Sequence, residues 1–121
     1  MIVVDAANVV GSVPDGWWRD RAGATERLRD ALAAAGPAAL PGTDADAEIV
    51  LVVEGAARRV GTIPGIRVIA ADHSADDAIV EICRQRRGDE IVVVTADRGL
   101  RDRVIELGAR VVGPTTLKIN R

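Results

Sequence analysis

The chain has 121 residues, 48% apolar and 28% charged, the balance of a folded domain and not of a disordered tail. A net charge of −2, from 16 basic and 18 acidic residues, excludes a protein that coats nucleic acid through bulk charge. One cysteine excludes an internal disulfide or a cysteine-rich zinc site and fits a reducing cytoplasm, and no apolar run approaches the ~20 residues of a membrane span.

The first apolar run, Ile2–Val4, follows Met1 directly, with no charged start of a secretory signal, so secretion is not expected. It reads as a strand that stops at Asp5. From Trp18, small or apolar residues recur at Ala22, Thr25, Leu28, Leu32 and Ala35, one face of a helix that stops at Gly36-Pro37. Asp15 is positioned to cap its start, Trp18 joins the buried stripe and Trp17 reads as a partly buried hydrophobe. These two tryptophans are the only aromatics, which excludes a multi-aromatic stacking sheet. Pro37–Ala47 reads as a loop.

A second strand, Ile49–Val53, ends at Glu54, and the connection Ala56–Gly65 leads to a third, Ile66–Ala70. After Ser74, the stripe Ala75, Ala78, Ile79, Ile82 and Cys83 marks a second helix closed by Gly88, with Ser74-x-x-Asp77 as a capping box. Ile91–Val94 is the fourth strand. The third helix follows Asp97, with Leu100, Val104 and Leu107 on one face and Gly108 at its end, and Ala109–Val112 is the fifth strand. The strand runs are continuous, as in strands covered on both faces of a parallel sheet. Alternation with helices predicts one α/β domain over residues 1–121, with a mostly parallel sheet and helices on both faces.

In such sheets the reactive crevice lies beyond the carboxyl ends of the strands. The sequence places carboxylates there: Asp5 after the first strand, Glu54 after the second, Asp76 and Asp77 in the first turn after the third, and Asp97 just past the fourth. Like charges gathered at one edge repel unless a cation neutralises them. Hard divalent ions with oxygen ligands, Mg²⁺ or Mn²⁺, suit sparse carboxylates completed by water, and Asp5, Asp76 and Asp97 are the candidate ligands. Asp76 borders the apolar stripe of its helix, whereas Asp77 points outward and reads equally as the capping partner of Ser74. Asp97 also reads as a helix cap, Asn8 as a turn residue or a group orienting Asp5, and Thr95 as a buried hydroxyl or a phosphate contact.

Three segments, VVDAANVVG (Val3–Gly11), ADDAIVE (Ala75–Glu81) and VVTADRGLRD (Val93–Asp102), resemble the NYN domains of the PIN-like nuclease superfamily, most closely the YacP-like branch. The resemblance implies a five-stranded sheet ordered 3-2-1-4-5 and a magnesium- or manganese-dependent ribonuclease centre. By position, Asp5 and Asn8 match the first motif, Asp76 and Asp77 the second and Asp97 the third. It also implies RNA as partner, with a ribosome or another RNA-processing protein as further candidates. The chain departs from the pattern in three places. Ala6-Ala7 stand where the family often has an aromatic, Asp102 falls five positions after Asp97, and Glu54 replaces an aspartate at the end of the second strand.

Arg58, Arg59 and Arg98 lie near the strand ends and are candidate phosphate contacts, while Arg84, Arg86 and Arg87 suit the C-terminal dipole of the second helix. The expected activity is hydrolysis of an RNA phosphodiester by a metal-activated water. Two alternatives share the residues: a nucleotide pyrophosphohydrolase, and a non-catalytic module that binds RNA or protein. Neither a P-loop nor a dinucleotide-binding glycine motif is present.

Overall fold

The computed structural model describes residues 1–120. Five strands, β1 (Ile2–Asp5), β2 (Ile49–Val53), β3 (Ile66–Ala70), β4 (Val92–Val94) and β5 (Arg110–Val112), form one sheet in the order β3-β2-β1-β4-β5. Every adjacent pair is parallel. Four α-helices accompany them: α1 (Ala6–Gly11), α2 (Arg21–Ala35), α3 (Ala75–Gln85) and α4 (Arg98–Ile105). No helix among the described residues is long and apolar enough to cross a membrane.

Residue parity along the strands sorts the core into two layers, because successive side chains leave opposite faces. Ile2, Val4, Ile49, Leu51, Val53, Val92 and Val94 pack with α1 and α2, where Leu28 and Leu32 are almost wholly buried. Val3, Val50, Val52 and Val93 pack with Ile79 and Cys83 of α3 and Leu100 and Val104 of α4. Each fully buried leucine or isoleucine contributes about 1.5–3 kcal/mol relative to its exposed state. Both faces of the central strands are thus covered, which is why they read as unbroken apolar runs. The edge strands β3 and β5 are only partly buried and carry Arg67 and Arg110.

Three local expectations are corrected, and one helix appears that the sequence does not announce. The chain turns from β1 straight into α1, a short helix with no cap or break to announce it. Trp17–Arg19 form a separate 3₁₀ turn entered through Gly16 at φ 82°, and α2 starts only at Arg21. Its cap is Asp20, whose Oδ1 accepts from Gly23 N at 2.9 Å, and not Asp15. The changed phase turns Trp18 outward, 54% exposed, whereas Trp17 is the expected partly buried hydrophobe, packed against the core.

The chain runs from central β1 outward to β2 and β3, then returns to place β4 on the other side of β1. In parallel sheets a reversal of this kind marks the place for a ligand crevice, here beyond the carboxyl ends of β1 and β4.

Candidate active site

Register builds the centre of the site. Val4 pairs with Val94, so the next residues, Asp5 and Thr95, stand side by side at the mouth of the crevice. The Thr95 hydroxyl donates to Asp5 Oδ2 at 2.9 Å and accepts from the Asp97 amide at 3.1 Å. Asp97 in turn caps α4, its Oδ1 accepting from Leu100 N at 3.1 Å. Asn8, on α1, accepts from the Ala96 amide through Oδ1 at 2.8 Å. Asp5, Asn8, Thr95 and Asp97 therefore form one network that ties the turn after β1 to the turn after β4.

Two further carboxylates approach from the other side. Glu54, just past β2, accepts from the Ala75 amide at 2.9 Å through Oε2 and so helps to cap α3. This fixes the first turn of α3, where Asp76 is half-buried. Ser74 completes the cap, accepting from Asp77 N at 3.2 Å, but the Asp77 carboxylate does not close the expected box. It is exposed and accepts from Arg103 Nη2 at 3.0 Å.

The buried charge is held at a cost. Asp5 is only 4% exposed, and burial is the main cause that raises its pKa from 3.8 to about 6. The Thr95 hydrogen bond opposes this, the Asp76 charge adds to it, and the Asn8 amide and Glu54 act more weakly in opposite directions. Asp76 is raised as well, first by burial, then by the charges of Asp97 and Glu54, with Arg103 opposing. Asp5, Glu54, Asp76 and Asp97 thus sit within electrostatic reach of one another with a net excess of negative charge.

No three Asp, Glu, His or Cys side chains among the described residues converge tightly enough to share one ion. The donor set is nonetheless all carboxylate oxygen, and Asp97 Oδ2 accepts no hydrogen bond among the described residues. Such a set fits a hard divalent ion held by one or two carboxylates with water completing its shell, not an all-protein cage.

Arg58, Arg59 and Arg98 are exposed and form no ion pair among the described residues. By contrast Arg84 pairs with Glu81, and Arg86 with Asp89 and Glu48. Asp102 is exposed on α4 and takes no part in the Asp5–Asp97 network. Beside Glu54 lies a cavity of about 340 Å³ lined by Ala7, Val10, Trp17, Arg21 and His73. Arg21, the first residue of α2, lies outside the apolar stripe that starts at Trp18, so the sequence does not mark it.

No protein-family model matches the sequence, and no curated protein does. A crystal structure of Rae1 (YacP) from Bacillus subtilis matches the fold with a TM-score of 0.69, covering 95% of this chain and 70% of that one at 17% identity. The chain has a YacP-like NYN fold. The sheet order 3-2-1-4-5 is the one the sequence resemblance implies, and at 95% coverage the likeness spans both halves of the sheet.

Proposed function

We propose that this protein is a metal-dependent endoribonuclease that hydrolyses RNA phosphodiesters at the acidic crevice. The observation that carries the reading is that Asp5, Glu54, Asp76 and Asp97 lie within electrostatic reach of one another at the switch point of a YacP-like sheet, with the Asp5 and Asp76 pKa values raised. A binding-only surface for a polyanion gains nothing from concentrated negative charge.

Asp5, Asp76 and Asp97 would hold Mg²⁺ or Mn²⁺, one or two of them directly and the rest through water. Such an ion supplies neutralisation of phosphate oxygens and a lowered pKa for the attacking water. Thr95 orients Asp5 and the Asp97 amide together, and Asn8 keeps the two turns in register. Glu54 fixes the first turn of α3 and with it Asp76. Arg58, Arg59 and Arg98 supply guanidinium forks for substrate phosphates on either side of the acids.

The direct test offers the Mn²⁺-supplemented protein structured RNA, single-stranded RNA, DNA and nucleoside triphosphates in parallel. Cleavage of RNA is expected. Hydrolysis of the triphosphates alone would instead indicate a nucleotide pyrophosphohydrolase, and no hydrolysis of any substrate would indicate a binding module. Asp97→Asn keeps an oxygen for the α4 cap but removes the charge. The variant is expected to melt like wild type without metal, lose the metal-induced rise in melting temperature and lose hydrolysis. An active variant with a normal metal response rules out the proposed centre.

A further inference from the structure

Trp18 is an anomaly in this molecule. Apart from Ile105 it is the only large apolar side chain exposed among the described residues, and it belongs to neither core layer. Its position is built by the local backbone. Gly16 adopts φ 82°, the 3₁₀ turn closes through Arg19 N to Gly16 O at 3.0 Å, and Asp20 N donates to Trp17 O at 3.2 Å. This turn sends Trp17 inward and Trp18 outward. The rings meet edge to face, with centroids 5.9 Å apart at 85°.

Cations frame both rings. The Arg19 guanidinium lies 5.8 Å from the Trp18 ring centroid, and that of Arg21 lies 5.4 Å from the Trp17 centroid. Arg59, from the connection after β2, faces the same hollow as Trp18, Arg19 and Arg21, about 440 Å³ in volume. None of these arginines forms an ion pair among the described residues. Asp20, the one carboxylate there, already caps α2. Arg21 also lines the cavity beside Glu54, so this one side chain borders both hollows.

We propose that this hollow seats an unpaired RNA strand, with a base stacked on Trp18 and its flanking phosphates held by Arg19, Arg21 and Arg59. The inference rests on the ribonuclease reading and specifies its substrate as single-stranded next to the cleavage point. An indole presents a flat apolar face that matches any base, and guanidinium forks match phosphate oxygens without reading sequence. Bases in a duplex are already stacked, so a platform of this kind selects unpaired RNA. Its charge opposes that of the acids, which separates strand binding from the reaction centre.

The test measures binding of labelled single-stranded and duplex RNA oligonucleotides to the full chain by fluorescence anisotropy, in EDTA to prevent cleavage. Trp18→Ala is expected to weaken single-strand binding roughly 5- to 150-fold, the range for loss of one stacked base. Trp18→Phe should recover most of the affinity, and duplex binding should be unaffected by either change. Ile105→Ala, which removes the other exposed apolar side chain, should bind like wild type. Equal loss of single-strand and duplex binding in Trp18→Ala, or no loss, overturns the platform. If wild type cleaves RNA while Trp18→Ala binds normally, the platform alone falls; a wild type that binds no RNA removes both readings.

Discussion

Asp5 shows how single residues at this site trade stability for charge. Burial moves its folded-state pKa from 3.8 to about 6, so between those values the folded protein holds a proton that the unfolded chain releases. The contribution of Asp5 to stability is therefore present at low pH and is lost as pH rises through about 6. At neutral pH the charged form carries a penalty on the order of 1–3 kcal/mol. Asn at this position keeps an oxygen to accept from Thr95 and removes the charge. In metal-free buffer, Asp5→Asn should therefore exceed wild type in stability at pH 7, with the gap shrinking towards pH 4. Denaturant unfolding of both proteins across this range checks the sign. A variant less stable than wild type at pH 7 would show that the network around Thr95 outweighs the buried charge.

At the scale of elements, legibility followed the length of the repeating signal. The strands could be read because β1, β2 and β4 are covered on both faces, and α3 because its stripe and Ser74 cap agree. The short α1 could not, since six residues give less than two turns of periodicity. The same shortage hides the 3₁₀ turn at Trp17–Arg19, so the periodicity of α2 extends falsely back to Trp18 and points that residue to the core. The strand-end acids were legible from position alone; the Thr95 relay and the Glu54 contact with α3 depend on sequence-distant register that one sequence does not display. The start of α2 yields its own prediction. Gly23→Ala should gain about 1 kcal/mol from helix propensity, yet the new Cβ would overlap the Asp20 carboxylate and displace the cap, worth a similar amount. The single variant should thus be near neutral, whereas the same change in an Asp20→Ala background should stabilise by ~1 kcal/mol. A double-mutant cycle by thermal unfolding measures this coupling, and simple additivity would contradict the assigned cap.

Across the whole molecule, the parallel sheet separates two kinds of charge. At its carboxyl edge the acids stand close together, while Arg58, Arg59 and Arg98 remain free of ion pairs among the described residues. Towards the far end of α3, arginines are neutralised locally, as in the Arg84–Glu81 contact at 2.6 Å and the Arg86–Asp89 contact at 2.7 Å. A net charge of −2 conceals this arrangement, because the count has no positions in it. If the unpaired arginines meet RNA phosphates, each releases counterions on binding, and the logarithm of affinity falls with the logarithm of salt by ~0.7 per contact for a single strand. Replacing Arg58, Arg59 and Arg98 together by Gln should weaken RNA binding and flatten that slope by about 2. Folding stability should change by under ~1 kcal/mol, since exposed side chains without partners contribute little. Replacing Arg84 and Arg86 by Gln should leave the salt slope unchanged, because their guanidinium groups already face carboxylates away from the crevice. Anisotropy titrations at several salt concentrations, paired with unfolding curves, read both effects. Equal slopes in the triple variant and wild type would assign all three arginines to solvation and leave the acids without a phosphate clamp.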